Sequence, residues 1–198
     1  MRVIAGEFRS RRLKSLPGLN TRPTPDRLRE TLFNVLSSHI SDAVFMDIYA
    51  GTGAVGIEAL SRGARRAIFI ENNRAAVEVI RENLAALGLQ SRAEVFSGKA
   101  ATVLERVRAD IAFLDPPYEI SKEYETSMTA LGASETALAI VQHSSRFTPQ
   151  EDYGSLRRYR EIKQGDNCLS FYRKISTSST HPLNTEKTKT AITPPATQ

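Results

Sequence analysis

Short apolar runs alternate along this chain with longer stretches in which apolar residues recur every three or four positions. The first pattern is that of buried strands and the second that of amphipathic helices. Leu28, Leu32, Val35 and Leu36 fall on one helical face. Thr24-Pro25 ahead of them reads as an N-cap followed by proline at the first helical position, so a helix is predicted to about Ser38. Strands are then predicted over 44–48, 67–70, 93–96, 111–114 and 136–141, and helices over 54–62, 74–87 (closed by Gly88), 100–107 and 123–131. Two last strands, 156–162 and 168–174, surround a Gly165-Asp166-Asn167 turn. Alternating strands and helices imply right-handed crossovers and a mostly parallel sheet, with the closing pair as an antiparallel hairpin at one edge. In such a sheet, ligands bind beyond the carboxyl ends of the strands.

The chain has 198 residues, 40% of them hydrophobic, which fits one domain with a proper core, or one domain plus an arm. Its longest apolar runs, 137–141 and 44–46, fall far short of the roughly 18–20 residues of a membrane span. No apolar stretch of the secretory kind follows the basic N-terminus, so a cytoplasmic protein is expected. Cys168, the single cysteine, leaves no internal disulfide and no cysteine-rich zinc site, and reads as packing. His39, His143 and His181 have no metal-ligand spacing, so no metal is expected, and nothing demands more than a monomer. His143, after the fifth strand, reads as structural or as lining the pocket.

Charge changes the picture at the N-terminus. The whole chain carries +5, whereas residues 1–29 hold eight basic residues against two acidic ones. Among the basic residues are Arg2, Arg9, Arg11, Arg12, Arg22 and Arg27, with Val3, Ile4, Phe8, Leu13 and Leu16 between them. That sorting fits a short folded hairpin presenting cations, either to a polyanion such as RNA or simply to water. Arg157, Arg158 and Arg160 admit the same two readings. Residues 176–198 are rich in Ser, Thr and Pro without an aromatic residue, and are expected to be disordered.

Two strand ends carry chemistry. After the first strand the chain reads Asp47-Ile48-Tyr49-Ala50-Gly51-Thr52-Gly53-Ala54-Val55-Gly56, a glycine pattern that matches a dinucleotide fingerprint, with Glu71 twenty residues beyond Gly51. Asp47 argues against a dinucleotide, because a carboxylate beside the turn repels a pyrophosphate. It suits S-adenosylmethionine, which carries a cationic sulfonium and an ammonium group and no phosphate. Gly51 and Gly53 would let the backbone approach that cofactor, and Glu71 would accept from its ribose hydroxyls. An ordinary turn with an N-capping acid is the remaining reading. After the fourth strand comes Asp115-Pro116-Pro117-Tyr118. Consecutive prolines remove N–H donors, so carbonyls and the Asp115 carboxylate are left to accept both hydrogens of an exocyclic amine while the base stacks on Tyr118. A Pro-rich turn without function is the alternative.

Together, Asp47, Ala50-Gly51-Thr52-Gly53 and Asp115-Pro116-Pro117-Tyr118 resemble the amino-group methyltransferases, with a Rossmann-like, seven-stranded sheet. Arg2-Val3-Ile4-Ala5-Gly6, Arg11-Arg12-Leu13, Arg22-Pro23-Thr24, the stretch Asp26 to Asn34 and the stretch Gly56 to Ala64 are similar to the RsmD-type 16S ribosomal RNA guanine-N2 methyltransferases over residues 1–174. The resemblance implies methyl transfer to a guanine N2 amine in the small ribosomal subunit or its precursor. It implies cofactor contacts at Asp47, Tyr49, Ala50, Gly51, Thr52, Gly53, Glu71, Asn72 and Gly98, with Asp115, Pro116, Pro117 and Tyr118 catalytic. RNA would lie on a basic hairpin and helix (1–40) ahead of a methyltransferase domain (41–175). Two positions depart from the family pattern. Tyr49 stands where relatives often have phenylalanine. Gly98-Lys99-Ala100 replaces a Gly-Asp-Ala whose Asp approaches the adenine amino group, an acceptor role lysine cannot take. A DNA amino-methyltransferase is less well supported, since no target-recognition domain fits in the chain. A binding-only ribosome assembly factor stays open through Lys99.

Overall fold

A computed structural model describes residues 1–16, 25–116 and 121–175 of the chain. Five strands, β1 (Val44–Ile48), β2 (Arg66–Glu71), β3 (Ala93–Ser97), β4 (Ile111–Leu114) and β5 (Leu138–Ser144), pair in parallel, and β6 (Asp152–Tyr153), β7 (Leu156–Gln164) and β8 (Asn167–Lys174) join antiparallel. The sheet order is β3-β2-β1-β4-β5-β8-β7-β6. The expected seven strands form its body, and the two-residue β6, too short to show in the sequence pattern, extends it by one.

The central strands read as continuous apolar runs because helices cover both faces. Phe45, Phe69, Phe113 and Ile140 face the side that carries α1 (Asp26–Val35), α2 (Ala54–Ser61) and α3 (Arg74–Ala86). Met46, Ile48, Ile70, Leu114 and Val141 face α4 (Ala100–Leu104) and α5 (Ser121–Gly132). The period of two along each strand therefore assigns Asp47 to the α1–α2 side.

Several boundaries differ from the sequence pattern. Pro25, in extended conformation, is the N-cap of α1 and Asp26 its first residue, while Thr24 lies outside the described residues. The helix stops at Val35 and the chain turns, with the His39 N–H on the Leu36 carbonyl. The helix α4 ends at Leu104, where the Arg108 guanidinium takes up the carbonyls of Leu104, Glu105 and Val107. Residues 136 and 137 do not join β5; the Ala137 N–H turns instead to the Asp110 carbonyl. The tail 176–198 lies outside the described residues.

The N-terminal arm is not a regular hairpin. One antiparallel bridge pairs Arg2 with Arg12, and Val3 N–H to Arg11 O (3.0 Å) and Leu13 N–H to Met1 O (3.0 Å) complete the local pairing. Arg9, Ser10 and Arg11 N–H groups bond within the arm, to Gly6, Val3 and Phe8 carbonyls, and other backbone donors are satisfied by the body. Glu58 of α2 accepts from Ile4 N–H (2.7 Å) and Ala5 N–H (3.0 Å), Ser61 Oγ accepts from Phe8 N–H (3.0 Å), and Asn83 Oδ1 accepts from Lys14 N–H (2.7 Å). Val3 and Leu13 are buried among α2 and α3 side chains.

Beneath the arm lies a buried charge cluster. Glu58 also accepts from Arg62 Nε (2.7 Å) and lies 3.9 Å from Arg29 Nε, and the Arg29 and Glu58 side chains are both fully buried. Arg29 donates to the Arg2 carbonyl (2.6 Å) and to Asp26 (3.0 Å), while its Nε and Nη1 find no hydrogen-bond partner among the described residues. Breaking a buried pair from one side leaves an uncompensated charge. Glu58→Ala should therefore destabilise the protein by about 3–5 kcal/mol in urea unfolding and release the arm to protease. A variant with wild-type stability would show that Glu58 does not anchor the arm.

Candidate active site

The chain leaves β1 through a tight turn at the carboxyl edge of the sheet. Tyr49 and Ala50 N–H groups both donate to the Ile70 carbonyl (3.0 and 3.1 Å), and Gly53 N–H closes onto Ala50 O (2.8 Å). Gly53 is the N-cap of α2 at φ +78°, a conformation that costs glycine nothing. Gly56 is required for a different reason: a Cβ there would stand 2.3 Å from the Phe69 ring. The strand β2 and helix α2 thus pack backbone to ring, which holds the turn against the sheet.

Asp47 is buried beneath this turn. Its Oδ2 accepts from the Gly56 N–H in the first turn of α2 at 2.8 Å. The capping alternative is thereby realised, and any influence of Asp47 on a ligand at the turn acts alongside that bond. Burial pushes the Asp47 carboxyl well above the carboxylate range. The Gly56 bond opposes this, the charges of Asp115 and Glu71 add to it, and Arg29 opposes it. Asp47 on β1, Glu71 on β2 and Asp115 just after β4 therefore share one electrostatic neighbourhood.

Glu71, half-buried at the end of β2, binds the turn with both oxygens: Oε2 accepts from Gly51 N–H and Oε1 from Asn73 N–H, each at 2.8 Å. Asn72 is exposed beside it, and Asn73, not Asn72, caps α3 through Ala75 and Ala76 N–H. Thr52 is tied to α3 by Asn83 Nδ2 on its carbonyl (3.1 Å). Gly98 N–H donates to the Glu71 carbonyl (3.0 Å), so the end of β3 adjoins the same place. There Gly98, Phe96, Thr102, Val103, Lys99 and Arg106 line a cleft of about 280 Å³ whose charged groups are both cations.

Just after β4, Asp115 is half-buried with its N–H on the Ile48 carbonyl (3.4 Å), and Pro116 is buried. Pro117 and Tyr118 lie outside the described residues. The Pro116 carbonyl is not free of competing donors, as proline chemistry alone implied, because the buried Tyr124 hydroxyl lies 3.5 Å away, and 3.2 Å from Gln142 O. His143 takes the structural role, buried with Nε2 on Ser170 Oγ (2.9 Å) and Nδ1 on the Ser144 carbonyl (2.9 Å), and burial lowers its pKa. Cys168 is buried in β8.

Arg2, Arg9, Arg11 and Arg12 on the arm and Arg27 on α1 are exposed, and Arg22 lies outside the described residues. Arg2 is 3.9 Å from Asp26; Arg9, Arg11, Arg12 and Arg27 have no ion pair among the described residues. The arm runs beside α2, with Thr52 Oγ1 close to Met1 Sδ at one end and Glu7 N–H on the Ser61 carbonyl (2.8 Å) at the other. The anchors Glu58 and Arg29 escaped the sequence reading. Their one signal was a charged residue on an otherwise apolar helix face.

The comparisons agree with this geometry. The family model described as "Conserved hypothetical protein 95" matches residues 1–173. A Bacillus subtilis protein named "Putative rRNA methyltransferase YlbH" is 31% identical over 88% of this chain and 99% of its own length. The Escherichia coli K12 "Ribosomal RNA small subunit methyltransferase D" is 42% identical over 60% of each chain. The solved structure of Escherichia coli yhhF superposes with a TM-score of 0.78 at 35% identity, covering 88% of this chain and 97% of that one.

Linkage gives the site a pH signature. Unfolded, Asp47 ionises near about 3.9, and folded it does so at higher pH, so its contribution to stability is complete below that value and is lost as pH rises through the folded pKa. Asp47→Asn does not ionise, so its stability relative to wild type should climb with pH above about 4 in urea unfolding. A difference independent of pH would contradict the raised pKa. By the match over nearly its whole described length, the chain belongs to the Conserved hypothetical protein 95 family, that of the RsmD-type methyltransferases.

Proposed function

We propose that this protein transfers a methyl group from S-adenosylmethionine to the exocyclic N2 amine of a guanine in 16S ribosomal RNA, in the small subunit or its precursor. The observation that carries the reading is the placement of three acids about the glycine turn: Asp47 on the Gly56 N–H, Glu71 on the Gly51 N–H, and Asp115 with its N–H on the carbonyl of Ile48, the residue that leads into the turn. Such a site favours a cationic ligand and disfavours a diphosphate.

The residues present fit that cofactor. Each Glu71 oxygen accepts one backbone N–H and keeps a further acceptor site for a ribose hydroxyl. No atom stands within 4 Å of where a Cβ on Gly51 would be, which leaves room beside that carboxylate. Tyr49, Ala50, Thr52, Gly53, Asn72 and Gly98 would contact the same cofactor. When bound, S-adenosylmethionine supplies an electrophilic methyl group. Asp115 accepts one hydrogen of the amine, the Pro116 carbonyl the other, and Tyr118 stacks on the base. These contacts aim the nitrogen lone pair; the N–C bond forms as the C–S bond breaks, and the nitrogen then sheds its proton to solvent. No strong base is needed, and positioning supplies most of the acceleration. The guanine must leave its stack to be reached.

Residues 1–40 serve as the RNA-contacting part, with Arg2, Arg9, Arg11, Arg12, Arg22 and Arg27 on phosphates, and residues 41–175 as the methyltransferase part. The names of the relatives support a ribosomal substrate. The protein acts in the cytoplasm as a monomer. Lys99, placed with Arg106 in the cleft beside Gly98, favours a second reading in which RNA is bound without catalysis.

One experiment separates these. Small-subunit particles from a strain lacking the protein, incubated with it and tritiated S-adenosylmethionine, should take label at the N2 of a single guanine, and Asp115→Ala should abolish the transfer. Unlabelled RNA would favour the binding-only reading, and undiminished transfer by Asp115→Ala would remove Asp115 from catalysis.

A further inference from the structure

The first turn of α5 touches both halves of the candidate site. Glu123 Oε2 accepts from the Tyr49 hydroxyl at 2.6 Å, and the buried Ser127 Oγ, one turn on, lies 2.9 Å from the same hydroxyl. Between them in sequence, Tyr124 directs its hydroxyl toward the carbonyls of Pro116 and Gln142. The glycine turn and the Asp115-Pro116 segment therefore meet on a single stretch of helix. The hydroxyl–carboxylate bond is short and charge-assisted, a class about twice as strong as neutral hydrogen bonds.

The backbone gives this contact a purpose. Tyr49 sits at φ +64°, where a bulky side chain persists only if its surroundings hold it. Three things do so: the paired N–H groups on Ile70 O, the ring packed against the α4–α5 face of the core, and the hydroxyl on α5. A phenylalanine would keep the first two and lose the third. The hydroxyl is turned toward α5 and spent on it, so what Tyr49 offers a ligand at the turn is its backbone.

We propose that Tyr49 is a positioning residue whose hydroxyl, held by Glu123 and Ser127, locks the cofactor turn to α5 and thereby sets the separation between the methyl donor and the amine held by Asp115 and Pro116. This rests on the methyltransferase reading above. Transfer requires the reacting atoms within about 3–3.5 Å, and a displacement of about 1 Å can cost up to about 100-fold in rate. Loosening the lock therefore lowers the rate at saturation while leaving each ligand's own contacts in place.

The test uses the full chain with small-subunit particles and tritiated S-adenosylmethionine, reading kcat, the KM for particles and, by calorimetry, cofactor affinity. Tyr49→Phe and Glu123→Ala should each lower kcat about tenfold with cofactor affinity little changed. Their combination should be no worse than Tyr49→Phe alone, since that variant already removes the hydroxyl that Glu123 holds. Glu123→Gln, whose amide oxygen still accepts, should recover most of the rate and guards against a folding defect in Glu123→Ala. The proposal is overturned if Tyr49→Phe turns over at the wild-type rate, if the two effects multiply, or if the loss lies wholly in cofactor affinity. Asp115→Ala, run alongside, distinguishes the failures. An inactive Asp115→Ala with a normal Tyr49→Phe overturns the lock alone, an active Asp115→Ala removes Asp115 from the amine site the lock is argued to position, and a wild-type protein that transfers no label overturns the reading beneath both.

Discussion

The bond from the Gly56 N–H to the buried Asp47 carboxylate fixes where α2 begins, and the rest of the site follows from that point. It satisfies one of the donors that every helix start leaves open. It also brings an acidic side chain under the glycine turn, which α2 can approach only because Gly56 lets its backbone meet the Phe69 ring. With the turn held in this way, Gly51 N–H reaches Glu71 on the next strand, and Gly98 N–H reaches the Glu71 carbonyl from the strand beyond. Three strand ends are thereby tied together around the glycine turn.

The arm is attached by the same logic at the side of α2. An antiparallel pair joined by one bridge is marginal alone. Here Glu58 serves as the acceptor for two arm amides and as the counter-ion of Arg29 and Arg62. Arg29 in turn holds the Arg2 carbonyl. The buried charges thus fix the backbone that carries Arg2, Arg9, Arg11 and Arg12, and leave those side chains in solvent. A cationic surface is presented by a fixed segment, which costs less ordering on contact with a polyanion than a free tail would.

Much of the fold was legible because parallel strands are buried on both faces and so stand out as apolar runs: Val44–Ile48 and Ile111–Leu114 were bounded to the residue. Helix ends were less legible, since side chains such as Arg108 decide them through local competition for carbonyls. At the site, Asp47, Glu71 and Gly53 were readable from strand-end chemistry, but the partner of Asp47 was not. Contacts that join distant segments left almost no trace. Glu58 meets Ile4 across 54 positions, and Tyr49 meets Glu123 across 74. No local pattern encodes such pairs, because they exist only once the sheet has brought α2 and α5 to its opposite faces.

The central claim is that the acids placed about the glycine turn select a cation over a diphosphate. Calorimetric titration of the intact protein with S-adenosylmethionine and, separately, with NAD tests it most directly. Saturable binding of S-adenosylmethionine that weakens in Glu71→Gln, with no heat from NAD, is the expected result. Saturable binding of NAD with none of S-adenosylmethionine would contradict it.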